Sequence, residues 1–86
     1  MTYIPSGEDK VSKTARAALN FLQKTLSKSE EYTFLDMGCG DGRDINYLSS
    51  HLDNLIIHGI DISLKTVEDA IQLNSNKTHV TFECKN

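Results

Sequence analysis

Two rhythms of apolar residues alternate along the chain, one with a helical period and one in short, nearly continuous runs. Val11, Ala15, Ala18, Leu19, Leu22 and Leu26 fall on one helical face, while Lys10, Lys13, Arg16 and Lys24 fall largely elsewhere. This spacing predicts a helix over residues 8–26. Ser6 is placed to cap it, and Glu8 and Asp9 suit its positive end. Residues 1–7, with Tyr3, Ile4 and Pro5 before Ser6 and Gly7, read as a flexible arm. A polar run over residues 27–31 ends the helix.

The next segment, Tyr32 to Met37, is almost wholly apolar or β-favouring, the pattern of a strand covered on both faces. Ile45, Leu48 and Leu52 then predict a short helix ending between His51 and Asn54. Residues 55–60 form a second apolar run closed by Asp61. Ser63 can cap a third helix, with Leu64, Val67, Ala70 and Ile71 facing inward and Glu68 and Asp69 outward. Residues 74–77 are a turn cluster, and residues 79–84 alternate as a third strand. The order helix, strand, helix, strand, helix, strand implies right-handed crossovers into a parallel sheet.

Composition narrows the class. A chain of 86 residues makes one small domain, and 38% hydrophobic with 24% charged residues is ordinary for a globular protein. A formal charge of −3 provides no basic surface for nucleic acid or an anionic membrane. The longest aliphatic run, residues 55–57, is far too short to span a bilayer, and no signal peptide is evident. A soluble, cytoplasmic protein is therefore expected. Cys39 and Cys84 lack metal-ligand spacing, and His51, His58 and His79 are not clustered, so no metal site is expected. Cys84 reads as strand core.

The candidate chemistry lies between the first strand and the second helix, in the run Asp36-Met37-Gly38-Cys39-Gly40-Asp41-Gly42-Arg43-Asp44. Glycines at alternate positions allow positive φ and bring bare backbone close to a ligand. The helix that follows directs unpaired N–H groups and its positive dipole end at the loop. A dinucleotide fingerprint would place glycine at position 43, where this chain has Arg43. Asp61 ends the second strand, roughly twenty residues past the first glycine, where a carboxylate can accept bonds from ribose hydroxyls. A tight turn with no ligand is the plainer reading of the loop, and a helix cap that of Asp61. Ser63 already supplies a cap, which favours the ligand.

Leu35 to Gly42 resembles motif I of the class I S-adenosylmethionine-dependent methyltransferases, with its acidic residue two places before the first glycine. Gly59 to Ser63 resembles the family's next motif, and Val80 to Asn86 its third strand and exit. The resemblance implies an α/β, Rossmann-like three-layer sandwich of parallel strands and crossover helices. Only the first three strands of the family's seven-stranded sheet are present, so residues 1–86 read as a single partial methyltransferase domain with a βαβαβ unit over residues 32–86. It also implies S-adenosylmethionine as cofactor. Asp36 would hold the amino end of its methionine moiety, and backbone at Gly38, Cys39, Gly40 and Gly42 would line it. Asp61 would take the ribose, Ile62 would pack on the adenine, and Asn86 would meet the adenine amino group.

The resemblance identifies neither the methyl acceptor nor a catalytic residue. A first strand that is central in the family would here have a bare edge, so a fragment of a longer protein, self-association or a sheet-completing partner is expected. Two rival functions stand beside methyl transfer. One is a non-catalytic nucleoside-binding or interaction module derived from such an enzyme. The other is a fragment of a nicotinamide-dependent oxidoreductase.

Overall fold

The computed structural model describes residues 12–86. The arm expected over residues 1–7, the start of the expected first helix and Val11 lie outside the described residues. Six elements follow in order: α1 (Lys13–Thr25), β1 (Tyr32–Met37), α2 (Arg43–His51), β2 (Leu55–Asp61), α3 (Leu64–Leu73) and β3 (Val80–Cys84). The sheet has the order β1-β2-β3, and both pairings are parallel. Tyr32 stands opposite Leu55 and Met37 opposite Ile60, while Ile57 stands opposite Val80. These elements are the α/β architecture that the alternating pattern implies.

Helix α1 opens at Ser12, an extended residue whose hydroxyl accepts the Ala15 N–H at 3.0 Å. Its inward stripe is Ala15 and Leu19, flanked by the half-buried Ala18, Leu22 and Leu26. Helix α2 buries Ile45, Tyr47 and Leu48. Because each strand pairs with the next in sequence, two successive right-handed crossovers deliver α2 and α3 to the same face of the sheet. Burial follows that geometry. Phe34, Leu55, Ile57, Val80 and Phe82 meet the helices, with Ile45 and Ile57 at the fully buried centre.

The opposite face is open. Leu35 is 55% and Met37 69% exposed, and Ile56 is also exposed, so β1 is covered on one face rather than two. An all-apolar strand sequence reports the faces a strand is suited to bury, not how many are covered. The described residues thus supply the sheet and one helical layer. On the open face His58 bridges its neighbours, with Nδ1 2.7 Å from Thr81 Oγ1 and Nε2 3.2 Å from Glu83 Oε1.

Two further expectations change. Val67 and Ala70 face inward on α3, but Leu64 and Ile71 are exposed. The buried stripe continues instead to Asn74, one turn beyond Ala70, so a polar residue occupies the end of the inner face. Cys84 is exposed because it ends the edge strand β3; its thiol approaches the Ile62 carbonyl at 3.5 Å. Among the described residues, no helix is long and apolar enough to cross a membrane.

The layered core makes a direct prediction. Ile57→Ala should destabilise the chain by about 2–5 kcal/mol in a urea melt, through lost transfer energy and a cavity. Leu35→Thr on the open face should stay within about 0.5 kcal/mol.

Candidate functional site

The site is assembled at the carboxyl ends of the strands by main-chain bonds that β1 and β2 leave unused. As β1 ends, the N–H groups of Gly38 and Cys39 both donate to the Ile60 carbonyl, at 2.7 and 3.0 Å. The loop then turns away from the sheet through three left-handed residues, Gly38 (φ 75°), Gly40 (φ 60°) and Gly42 (φ 80°). Non-glycine residues rarely adopt these angles, which explains the alternation in the sequence.

Asp61 locks the loop to the next helix. Its Oδ2 accepts the Gly40 N–H at 2.9 Å, and its Oδ1 accepts the Ser63 N–H at 3.0 Å. These two donors hold its carboxyl below the ordinary carboxylate range, against a smaller effect of burial. Ser63 caps α3, its hydroxyl accepting the Thr66 N–H at 3.3 Å. The carboxylate therefore serves the loop and the approach to α3, while the cap itself belongs to serine.

Asp36 lies half-buried one strand position before the loop, opposite Gly59. Burial raises its pKa above the ordinary value, with the charges of Asp44 and Asp61 adding to the effect. Asp44 is itself occupied: its carboxylate accepts the Ser12 N–H at 3.2 Å and the Ser12 hydroxyl at 2.9 Å, tying the start of α1 to the first turn of α2. Cys39 is buried, and burial followed by Asp36 pushes its thiol up to about 11, which makes it an unreactive packing group. Arg43 is paired with Asp41 at 2.7 Å.

The three glycines have different surroundings. A Cβ placed on Gly38 or Gly40 would meet nothing within 4 Å. A Cβ on Gly42 would lie 2.8 Å from Asn74 Nδ2 and 2.9 Å from Ala70 Cβ. The first two present open backbone; the third is buried against α3. Gly59 is also spatially required, since its Cβ would stand 2.8 Å from both Ile45 Cδ1 and Phe82 Cδ1.

Of the residues singled out from sequence, Asp36, Gly38, Cys39, Gly40 and Asp61 lie together at the carboxyl ends of β1 and β2. Ile62, 73% exposed, follows Asp61 directly. Asn86 is exposed, two residues past β3, just after the Lys85 N–H that donates to the Asp61 carbonyl. Gly42 borders the same loop but faces α3. Sequence reasoning missed Gly59, Asn46 and Asn74. A glycine inside a strand is a signal of close approach that was available for Gly59. Asn74 was hidden in a run that reads simply as a turn.

A loop of left-handed glycines, joined through a carboxylate to the neighbouring parallel strand and followed at once by a helix, is the arrangement that Rossmann-like domains present at the carboxyl ends of their strands. The chain belongs to the methyltransferase-domain family, whose model matches residues 34–86. Among solved structures it resembles the plantazolicin methyltransferase BamL, in complex with a triazolic desmethylPZN analogue and SAH, at 29% identity and a TM-score of 0.67, over 92% of this chain and 29% of that one. The plantazolicin methyltransferase BpumL, also solved with SAH, matches at 29% identity and a TM-score of 0.64 over 85% of this chain and 27% of that one. Coclaurine N-methyltransferase, bound to N-methylheliamine and SAH, shares the fold at 16% identity and a TM-score of 0.65, over 100% of this chain and 25% of that one. The chain thus spans less than a third of the length of these structures. No curated protein sequence matches it.

Two predictions follow from the geometry. Gly40→Ala should cost about 1–2 kcal/mol, the penalty of a left-handed Cβ. Gly42→Ala should cost a further amount of about 1–3 kcal/mol from overpacking against Ala70 and Asn74; parallel urea melts would measure both.

The two aspartates should respond to pH with opposite signs. Asp36 has a raised pKa on folding, so its ionisation opposes the fold: this penalty is absent in acid and appears as pH rises through the folded value. Asp61 has a lowered pKa, so its stabilisation is present above the unfolded value and disappears as pH falls through the folded one. Asp36→Asn should therefore raise the melting temperature at neutral pH and lose that advantage in acid. Asp61→Asn should lower it at neutral pH. Thermal melts between about pH 3 and pH 7 would read both trends.

Proposed function

We propose that this chain is the S-adenosylmethionine-binding part of a methyltransferase that acts on a nucleophilic acceptor. The observation that carries the reading is the pairing of Gly40 with Asp61. An open glycine, free of any neighbour where a Cβ would stand, is held beside a carboxylate at the end of the adjacent parallel strand. Family membership over residues 34–86, and SAH in the plantazolicin methyltransferases that it resembles, support the same reading.

The residues present fit such a ligand. Gly38 and Gly40 leave room for it to lie on bare main chain. Asp61 remains ionised, and an ionised carboxylate has about four lone-pair sites. The Gly40 and Ser63 N–H groups use two of them, so acceptor capacity remains for a ribose hydroxyl. On this reading Asp36 would take the amino end of the methionine moiety, Ile62 would pack on the adenine face and Asn86 would meet the adenine amino group.

The local charge also favours this class of ligand over a dinucleotide. Asp36, Asp41, Asp44 and Asp61 surround the loop, and the nearby Arg43 cation is paired with Asp41. A negative field attracts a sulfonium and an ammonium but repels a pyrophosphate. When bound, the cofactor supplies a methyl group carried on sulfur. The chain's part is to fix the donor's position, and orientation alone can carry much of the rate of an in-line displacement. No described residue is given a catalytic role.

Calorimetric titration tests the reading. The chain should bind S-adenosylmethionine and S-adenosylhomocysteine, Asp61→Ala should weaken both at least about ten-fold, equivalent to about 1.4 kcal/mol, and NAD should not bind. A folded chain that binds neither sulfur nucleoside, or that prefers NAD, overturns it.

A further inference from the structure

Behind the glycine loop, on the side away from the open backbone, lies a buried polar cluster that sequence motifs do not register. Asn74 is the one buried polar residue among the described residues, at 3% exposure, and terminates α3. Its amide is fully engaged. Nδ2 donates to the Ala70 carbonyl at 2.9 Å and to the Gly42 carbonyl at 3.3 Å, and Oδ1 accepts from Asn46 Nδ2 at 3.1 Å. Asn46 also gives its backbone N–H to the Gly42 carbonyl, at 2.8 Å, as the first helical bond of α2. The Gly42 carbonyl thus receives one donor from its own helix and one from α3.

An apolar residue would satisfy packing at this position without the desolvation cost of a buried amide. The polar side chain adds direction. Held by two donors, the Gly42 carbonyl restrains the Gly42–Arg43 peptide that closes the loop, next to the left-handed Gly42. The other end of the loop is held by the Ile60 carbonyl and its middle by Asp61. We propose that Asn74 is a positioning residue for the glycine loop: through the Gly42 carbonyl it sets the loop conformation, and thereby the affinity for the nucleoside. The affinity step rests on the function proposed above; the conformational step does not.

The test separates the two. Asn74→Ala is compared with Val67→Ala, a buried substitution on the same helix whose side chain is not in the cluster. Amide resonances of Gly38, Gly40 and Gly42 are recorded in the free chain, and S-adenosylhomocysteine affinity is titrated well below both melting temperatures. Asn74→Ala should move the loop glycine resonances and weaken binding about ten-fold, the order expected from losing the one of its three bonds that reaches the loop, to the Gly42 carbonyl. Val67→Ala should do neither, even with an equal loss of melting temperature. Unmoved resonances in Asn74→Ala, or equal movement in Val67→Ala, overturn the inference. So does unchanged affinity in Asn74→Ala when the wild type binds. If the resonances move in Asn74→Ala alone but the wild type binds no sulfur nucleoside, the positioning role stands and the proposed function falls.

Discussion

The carboxylate of Asp61 is the joint on which the site depends. One oxygen holds the Gly40 amide and the other the Ser63 amide, so the side chain ending β2 fixes the turn leaving β1 and the entry to α3 together. Charge-assisted bonds to backbone N–H groups are stronger than neutral ones, and here they connect segments about twenty residues apart in sequence. The low pKa of the group is the titration signature of the same two bonds. Removing the charge would leave the strand pairing intact but release the loop from it.

The glycine motif combines two physical demands that look alike in sequence. Gly38 and Gly40 are open, and their missing side chains leave space for a ligand. Gly42 has the same handedness of φ but is packed on Ala70 and Asn74, so its missing side chain lets two helices approach. Gly59 does for the sheet what Gly42 does for the helix pair, allowing Ile45 and Phe82 to close over the strand. Each of these positions excludes a side chain, but only two of them do so at an open surface.

The order of elements, the parallel sheet and the placement of Asp36, Gly38, Gly40 and Asp61 were legible because each rests on local pattern: strand runs, helical spacing and a loop between them. The strand face exposed at Leu35 and Met37 was not legible, since composition shows what a strand can bury and not what lies against it. Leu64 and Ile71 were assigned inward because periodicity counts apolar residues and cannot see that Asn74 ends the buried stripe. Cys84 was misplaced for a related reason: alternation does not show that a strand is at the edge of its sheet. The role of Asn74 depends on a contact between residues 32 positions apart, which no local window contains.

The contacts that hold the loop, from the Ile60 carbonyl and Asp61 to Asn74, come from one uninterrupted stretch of chain. Neighbouring strands pair in sequence order, so the residues that hold the loop are close along the chain as well as in space. The loop framework is therefore a contiguous cassette, its geometry written into a single continuous length of polypeptide.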